Sequence, residues 1–420
     1  MFDSRTTSNT SNWKLFVAAG ANASIITDGN SLINGTLSGS GTLNYYTAYT
    51  SQILASDASQ FEGTLNITTD ADGGFFKVYS TKGFPKAKIN LSSLVTMMYP
   101  VTSNVIVPIG DLTGSANAVL GAGGTGACTV IWEVGARDAN STFNGKITDT
   151  QVSGTGAKAG ILKTGLGTWT LTNANTFSGG TSIVSGTLMV NNSTGSGLGT
   201  GDVEIQTDGT ISGSGSISGV LNAYDGAIIQ PGNGVGTFTV ANQINLYSGS
   251  VLVIDIDKMN AKTDVLSSSS GISFNGNLEM NPVNSTLFAA GDTFKILNGN
   301  IVGLPAQIIP ATPADGLEWD LSKFNSDGVI AVKTLTGVKN VEVNAKVFPV
   351  PCKGVLNIHL ENNAPDVSVK VPDLMGKTVH SEAFSNQQYL ELNLSDLPKG
   401  VYMMQMRIDD KVTSKKIIKE

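Results

Sequence analysis

Asp-Gly or Asn-Gly occurs eleven times in this 420-residue chain, at Asp28, Asn34, Asp72, Asn144, Asp208, Asp225, Asn233, Asn275, Asn298, Asp315 and Asp327, and never after residue 338. Such pairs accept positive φ at little cost, so each predicts a reversal between strands. The segments between them are short and β-branched or alternating: TWTLT (Thr168 to Thr172), TLMV (Thr187 to Val190), VEI (Val203 to Ile205), TFTV (Thr237 to Val240) and VLVIDI (Val251 to Ile256). No stretch carries a sustained 3.6-residue apolar period with caps, which predicts a chain almost free of helix.

The strand-turn units repeat. SGSGTL at Ser38 to Leu43 returns as SGSGSI at Ser212 to Ile217, SGTL appears at Ser185 to Leu188, and Phe-x-Gly recurs at Phe61, Phe143 and Phe177. Imperfect repetition of short units marks a solenoid, in which one unit cannot bury its apolar face alone and stacks on its neighbours. A parallel β-helix fits, with Val, Ile, Leu and Phe inward, Thr, Ser and Asn outward, and glycine at the corners. Turns of roughly 20–25 residues spaced about 4.8 Å apart predict on the order of 14 rungs and a rod about 65 Å long.

Composition divides the chain. Residues 1–338 hold 46 of the 49 glycines and 38 of the 59 charged residues, whereas 339–420 hold 3 and 21, together with both histidines, His359 and His380. That shift predicts a domain boundary at Val338/Lys339, with domains over 1–338 and 341–420. Charged residues make up only 14% of the chain and the net charge is −7, which excludes a basic nucleic-acid-binding surface. The 40% hydrophobic content excludes disorder, and the glycines keep no collagen period. Cys128 and Cys352 supply neither a disulfide framework nor a CxxC metal site. No apolar run is long enough for a transmembrane helix.

GILKTGLGTWTLTNANTFSGGTSIVSGTLMVNN, Gly160 to Asn192, resembles the autotransporter-associated β-strand repeat of bacterial surface-protein passengers. GTISGSGSISG (Gly209 to Gly219), IIQPGNGVGTFTV (Ile228 to Val240) and AAGDTFKIL (Ala289 to Leu297) resemble what commonly follows that repeat, and VPIGDLTGSA (Val107 to Ala116) is a degenerate piece of it. The resemblance implies a right-handed parallel β-helix exposed outside the cell. It does not imply a type V autotransporter, because the C-terminus lacks the series of amphipathic strands of a membrane barrel.

The C-terminal part alternates differently. VLNIHL (Val355 to Leu360), VSVKV (Val367 to Val371), YLELNL (Tyr389 to Leu394), VYMMQMRI (Val401 to Ile408) and VTSKKIIK (Val412 to Lys419) predict a small antiparallel β-sandwich. FPVPCKGVLNI, VPDLMGK and LPKGVYMMQM with the ending KKIIK resemble, in order and spacing, the type A C-terminal sorting domain of the Bacteroidetes type IX secretion system. The residues that carry the resemblance are Phe348, Pro349, Pro351, Asp373, Leu374, Gly376, Leu397, Pro398, Gly400, Tyr402, Lys415 and Lys416. Val350 stands where the family has Asn between the two prolines, and Pro372 where an aromatic precedes Asp-Leu. The resemblance implies the type IX secretion machinery as partner and an extracellular or outer-membrane-surface location. A type IX substrate must first cross the inner membrane, yet MFDSRTTSNTSNWKLF lacks a basic n-region followed by an apolar h-region. The expectation is therefore that the chain is the C-terminal portion of a longer protein or has a misassigned start.

Catalytic patterns are weak. The first 338 residues hold no histidine, which removes Ser-His-Asp and Cys-His chemistry there. Arg5 and Arg137 lack clustered acids. Asp255 and Asp257 alternate on a strand as a glycosidase pair would, or as two outward acids on a solvated strand. Asp70 to Gly73 resembles the start of a calcium loop, but Thr81 stands where a bidentate Glu is needed, and GAGGTGA (Gly121 to Ala127) lacks β-roll aspartates; both read as turns. His359 and His380 have no supporting acid motif. The expected function is a non-catalytic, adhesin-like or structural passenger contacting glycans or other cells, without cofactor or metal. Trp132, Trp169 and Tyr224 serve that role or belong to the core. The rival is the ancillary part of a polysaccharide lyase or glycoside hydrolase; a soluble intracellular β-protein is the third reading.

Overall fold

The computed structural model describes residues 3–4, 10–27, 31–48, 50–124, 126–150, 156–285, 287–335, 345–372, 377–408 and 411–420. They fall into two compact units, Met1–Thr334 and Leu335–Glu420. Residues 336–344, where composition places the break, lie outside the described residues.

The first unit is a parallel β-helix. Among the described residues, fourteen strands succeed one another along one face, from Asp3–Ser4 through Asn22–Thr27, Thr42–Thr47 and Thr64–Thr68 to Ile308–Ile309. A second face stacks Thr10–Val17, Ser31–Gly39, Thr50–Phe61, Gly74–Val78, Val95–Val101, Val119–Gly124 and Lys146–Thr150. A third begins at Val105 and runs through Thr129–Val134 and Lys158–Lys163 to Ile301–Gly303. The turns differ in length: Thr210 stacks on Ile228, whereas Leu278 reaches its neighbour only at Ile308. Inward side chains form a continuous core, in which Trp132 and Trp169 are fully buried. Their indole N–H groups donate to Gly121 O (3.3 Å) and Leu112 O (3.1 Å), which satisfies the polar atoms that burial would otherwise strand.

Glycine serves this stacking more than it serves reversal. The Asn34-Gly35 and Asp208-Gly209 pairs lie inside strands Ser31–Gly39 and Val203–Gly213, contrary to the expected turns. A Cβ on either glycine would strike the backbone of the preceding rung, Trp13 O and Ile183 O respectively. Both SGSG segments behave alike: a Cβ on Gly39 would overlap Val17 O, and one on Gly213 would overlap Val190 O. The Phe-x-Gly motif follows the same logic, for Phe61, Phe143 and Phe177 are fully buried, and Gly63, Gly145 and Gly179 each face a carbonyl of the neighbouring rung. Gly121 to Gly124, expected as part of a turn, belong to strand Val119–Gly124. Asp70 to Gly73 is a turn, closed by Asp72 N donating to Asp70 Oδ1 at 3.1 Å.

The parallel rungs of the first face end at Ile308–Ile309 among the described residues. Thr293–Lys295, Val329–Thr334 and Leu317–Asp320 form an antiparallel sheet, and the short helix Phe324–Asp327 drives Phe324 edge-on against Phe274 at 5.4 Å. Phe288 packs between Phe294 and Trp319. A solenoid end needs such a cover because its last rung has no neighbour to bury its apolar face.

The second unit is antiparallel. Strand Val355–Pro372 spans two of the segments expected to be separate strands, with a register break between His359 and Ala364. Its first half pairs with Ala345–Phe348 and with Tyr389 to Asn393. Its second half pairs with His380 to Ser385 and with Gln405 to Ile408, and Lys411–Lys419 completes the sheet. Leu356, Ile358, Leu390 and Leu392 share one buried core with Val367, Val369, Met404, Met406 and Ile417, so the bent strand closes the sheet on itself.

Gly165 and Gly234 separate the two demands on glycine. Both have positive φ (69° and 83°), but a Cβ on Gly165 would collide with Gly135 O whereas one on Gly234 meets nothing within 4 Å. Gly234→Ala is expected to cost about 1–2 kcal/mol for left-handed backbone alone, and Gly165→Ala roughly 2 kcal/mol more. Thermal melts of the two variants check this; equal losses would refute the role of rung approach.

Candidate functional site

The sorting-motif residues separate into a structural set and an exposed set. Leu397 N closes a turn on Leu394 O at 3.1 Å, and Leu397 to Lys399 lead from it into the strand that opens at Gly400: Leu397 packs on the core and Tyr402 Oη donates to Pro398 O at 2.9 Å. Lys415 and Lys419 point to the same side as buried Ile417, as a two-residue period demands. Lys415 Nζ donates to Ala345 O, and Lys419 Nζ donates to Lys353 O at 3.1 Å. Cys352 N donates to Ile418 O (2.8 Å) and Glu420 N to Cys352 O (2.9 Å), so the last strand is held to the first segment along its outer edge. Lys416 points outward beside Met403. Phe348, Pro349, Val350 and Pro351 are exposed. Asp373, Leu374 and Gly376 lie outside the described residues. Motif reading missed Cys352 and Lys419; the alternation of KKIIK was the available signal for Lys419.

Residues 346–420 match the family described as secretion system C-terminal sorting domain. The chain carries a type IX sorting domain. Residues 161–190 match the passenger-associated-transport-repeat. The chain is 30% identical over 190 residues to the adhesin BmaC autotransporter of Brucella suis biovar 1 (strain 1330), which covers 42% of this chain and 6% of that protein. It is 34% identical over 97 residues to an extracellular serine protease of Serratia marcescens, covering 23% of this chain and 9% of the protease. The chain thus spans less than a tenth of either relative. The sorting domain and the passenger repeat together indicate a protein that is secreted or displayed at the cell surface. Among the described residues, no helix is long and apolar enough to cross a membrane.

The passenger repeat contains Lys163, 1% exposed. Its Nζ donates to Thr164 O (2.6 Å), Gly165 O (2.9 Å) and Ser185 O (3.2 Å), so one ammonium ties two rungs at a glycine corner. Burial pushes its pKa down to about 8, with Asp138 pulling the other way. Asp264 does the converse: fully buried, it accepts from Gly236 N at 2.7 Å and Asp255 N at 2.8 Å. Burial raises its pKa to about 7 against those two donors. Strongly perturbed groups mark candidate chemistry, but here both are committed to backbone.

The other candidates are placed as follows. Asp255 is buried and accepts from Asn281 Nδ2 at 2.6 Å, while Asp257 is half-buried and caps Asn260, so the outward pair expected from alternation does not form. The three consecutive buried positions Ile254 to Ile256 break the two-residue period. Arg137 donates to Glu62 O and Lys86 O, bracing successive rungs; Arg5 lies outside the described residues. His359 stacks on Tyr389 across the sandwich sheet, centroids 4.2 Å apart. His380 faces Glu382 at 3.5 Å. Trp132 and Trp169 belong to the core, whereas Tyr224 stacks in parallel on Tyr247 at 5.2 Å.

Outward polar residues form ladders. Asn66 donates to Asn44 Oδ1 (2.9 Å), Asn90 to Asn66 Oδ1 (2.7 Å), and Thr113 to Asn90 Oδ1, along a shallow groove of about 520 Å³. Each amide spends one N–H on the rung below and keeps a second.

Lys163→Met removes the buried ammonium that donates to three carbonyls and is expected to cost about 2–4 kcal/mol in thermal or denaturant unfolding. Between pH 3.8 and about 7 folded Asp264 keeps a proton that the unfolded chain releases, so its contribution to stability falls as pH rises through that window. The stability of the native protein relative to Asp264→Asn should therefore decline from pH 4 to 7; a flat difference would contradict the buried carboxyl's role.

Proposed function

We propose that the β-helix is a non-catalytic, adhesin-like passenger that contacts glycans or other cells after export by its sorting domain. The observation that carries this reading is the outer surface of the solenoid, on which amides and hydroxyls recur from rung to rung at half-exposed positions. Repeated weak polar contacts along a stiff support gain strength through multivalency. The partial likeness to a protein named as an adhesin supports the reading. So does the fate of the strongly perturbed groups Lys163 and Asp264, which are consumed in holding rungs together. The rival, an ancillary part of a secreted enzyme, draws on the partial likeness to an extracellular serine protease.

Display of the full chain, fused behind an N-terminal signal peptide, in a type IX-competent host tests both halves. Deleting Lys411–Lys419 removes the strand that closes the sandwich and should reduce surface immunostaining to background, with the protein retained inside the cell. Cells displaying the intact chain should aggregate or adhere several-fold more than cells without it; equal adherence would refute the adhesin reading.

A further inference from the structure

The third face of the solenoid carries a second outward column that differs from the asparagine ladder. Ser182, Glu204, Asn222 and Asn245 stand in register on successive rungs, and Asn245 Nδ2 donates to Asn222 Oδ1 at 2.8 Å. Just beyond the asparagines, Tyr224 and Tyr247 hold their rings parallel within 4° at 5.2 Å, and Tyr247 remains 44% exposed. Two stacked, solvent-facing tyrosines on a surface otherwise built of small polar residues are an expensive use of aromatic area. Glu204, whose negative charge acts on the Tyr224 hydroxyl, also lines a groove of about 470 Å³. Gly179, Gly180, Gly201, Asp202 and Ser178 also line it. None of the residues lining it is basic.

We infer that this groove and the Tyr224–Tyr247 pair form one carbohydrate-binding track that takes a neutral or amine-bearing oligosaccharide. The volume falls in the range of small-ligand sites. Tyr224 covers one face of the Tyr247 ring, and the part of Tyr247 left exposed packs against the C–H face of a pyranose, while the carboxylates accept from and the amides donate to its polar groups. The carboxylates of Asp202 and Glu204 repel uronic acids. This assignment deepens the glycan-contacting reading and rests on it.

Calorimetric titration of the full chain with chitohexaose, glucosamine hexamer and hexagalacturonate tests the track. Binding of the first two and rejection of the third is expected. Tyr247→Ala should weaken binding at least tenfold, Tyr247→Phe should stay within about twofold, and Glu204→Gln should weaken the glucosamine hexamer more than chitohexaose. Melting curves of the variants close to the native one show that the effect is local. Binding lost with Asn66→Ala but kept with Tyr247→Ala would overturn the track and leave glycan contact standing. Binding of none of the three, or preference for the acidic one, would also overturn it; cell adherence by the displayed chain would then still support the adhesin reading.

Discussion

Each turn of the solenoid brings backbone carbonyls to within contact of the next turn, and the structure depends on nothing bulky standing between them. At the corner formed by Gly135, Gly165 and Gly186, a Cβ on each would run into a carbonyl of its neighbour. Rung spacing is set by the parallel hydrogen bonds, about 4.8 Å, so a corner cannot widen to admit a side chain without breaking the ladder. The stacked core, the outward ladders and the buried staples all follow from that spacing.

The same constraint explains where charge is tolerated. Lys163 donates to three corner carbonyls with one ammonium, and Asp264 accepts from two backbone N–H groups with one carboxyl group. Burying either group is costly unless every hydrogen bond is made. In the sorting domain the lysines near the terminus divide by the same reasoning. Lys415 and Lys419 close the sandwich against backbone carbonyls, and Lys416 is left to solvent. The terminal strand is thus held at both edges, and the proposed surface contact rests on side chains whose spacing the rungs impose.

Much of this was legible in the order of residues. The all-β class, the repeated units, the near-absence of helix and the two chemistries follow from alternation, turn pairs and the glycine distribution. The outward acid pair did not, because Asp255 sits where three successive buried positions interrupt the strand period. The antiparallel cap was invisible because Thr293–Lys295 and Val329–Thr334 carry the same short alternation as any rung, and only their partners distinguish them. Asp208-Gly209 reads as a turn by itself but lies in a strand, where its glycine is required by Ile183 of the preceding rung.

The sequence by itself determined what depends on local chemistry: strand period, turn preference, the sorting motifs and the contrast between the glycine-rich and charge-rich parts. Tertiary structure alone decided which outward residues meet. Tyr224 and Tyr247, like Asn222 and Asn245, come from successive rungs, and nothing local joins them. The turns are unequal in length, as the Thr210–Ile228 and Leu278–Ile308 pairings show, so register between rungs is set by core packing and interstrand hydrogen bonds and not by a constant count along the chain.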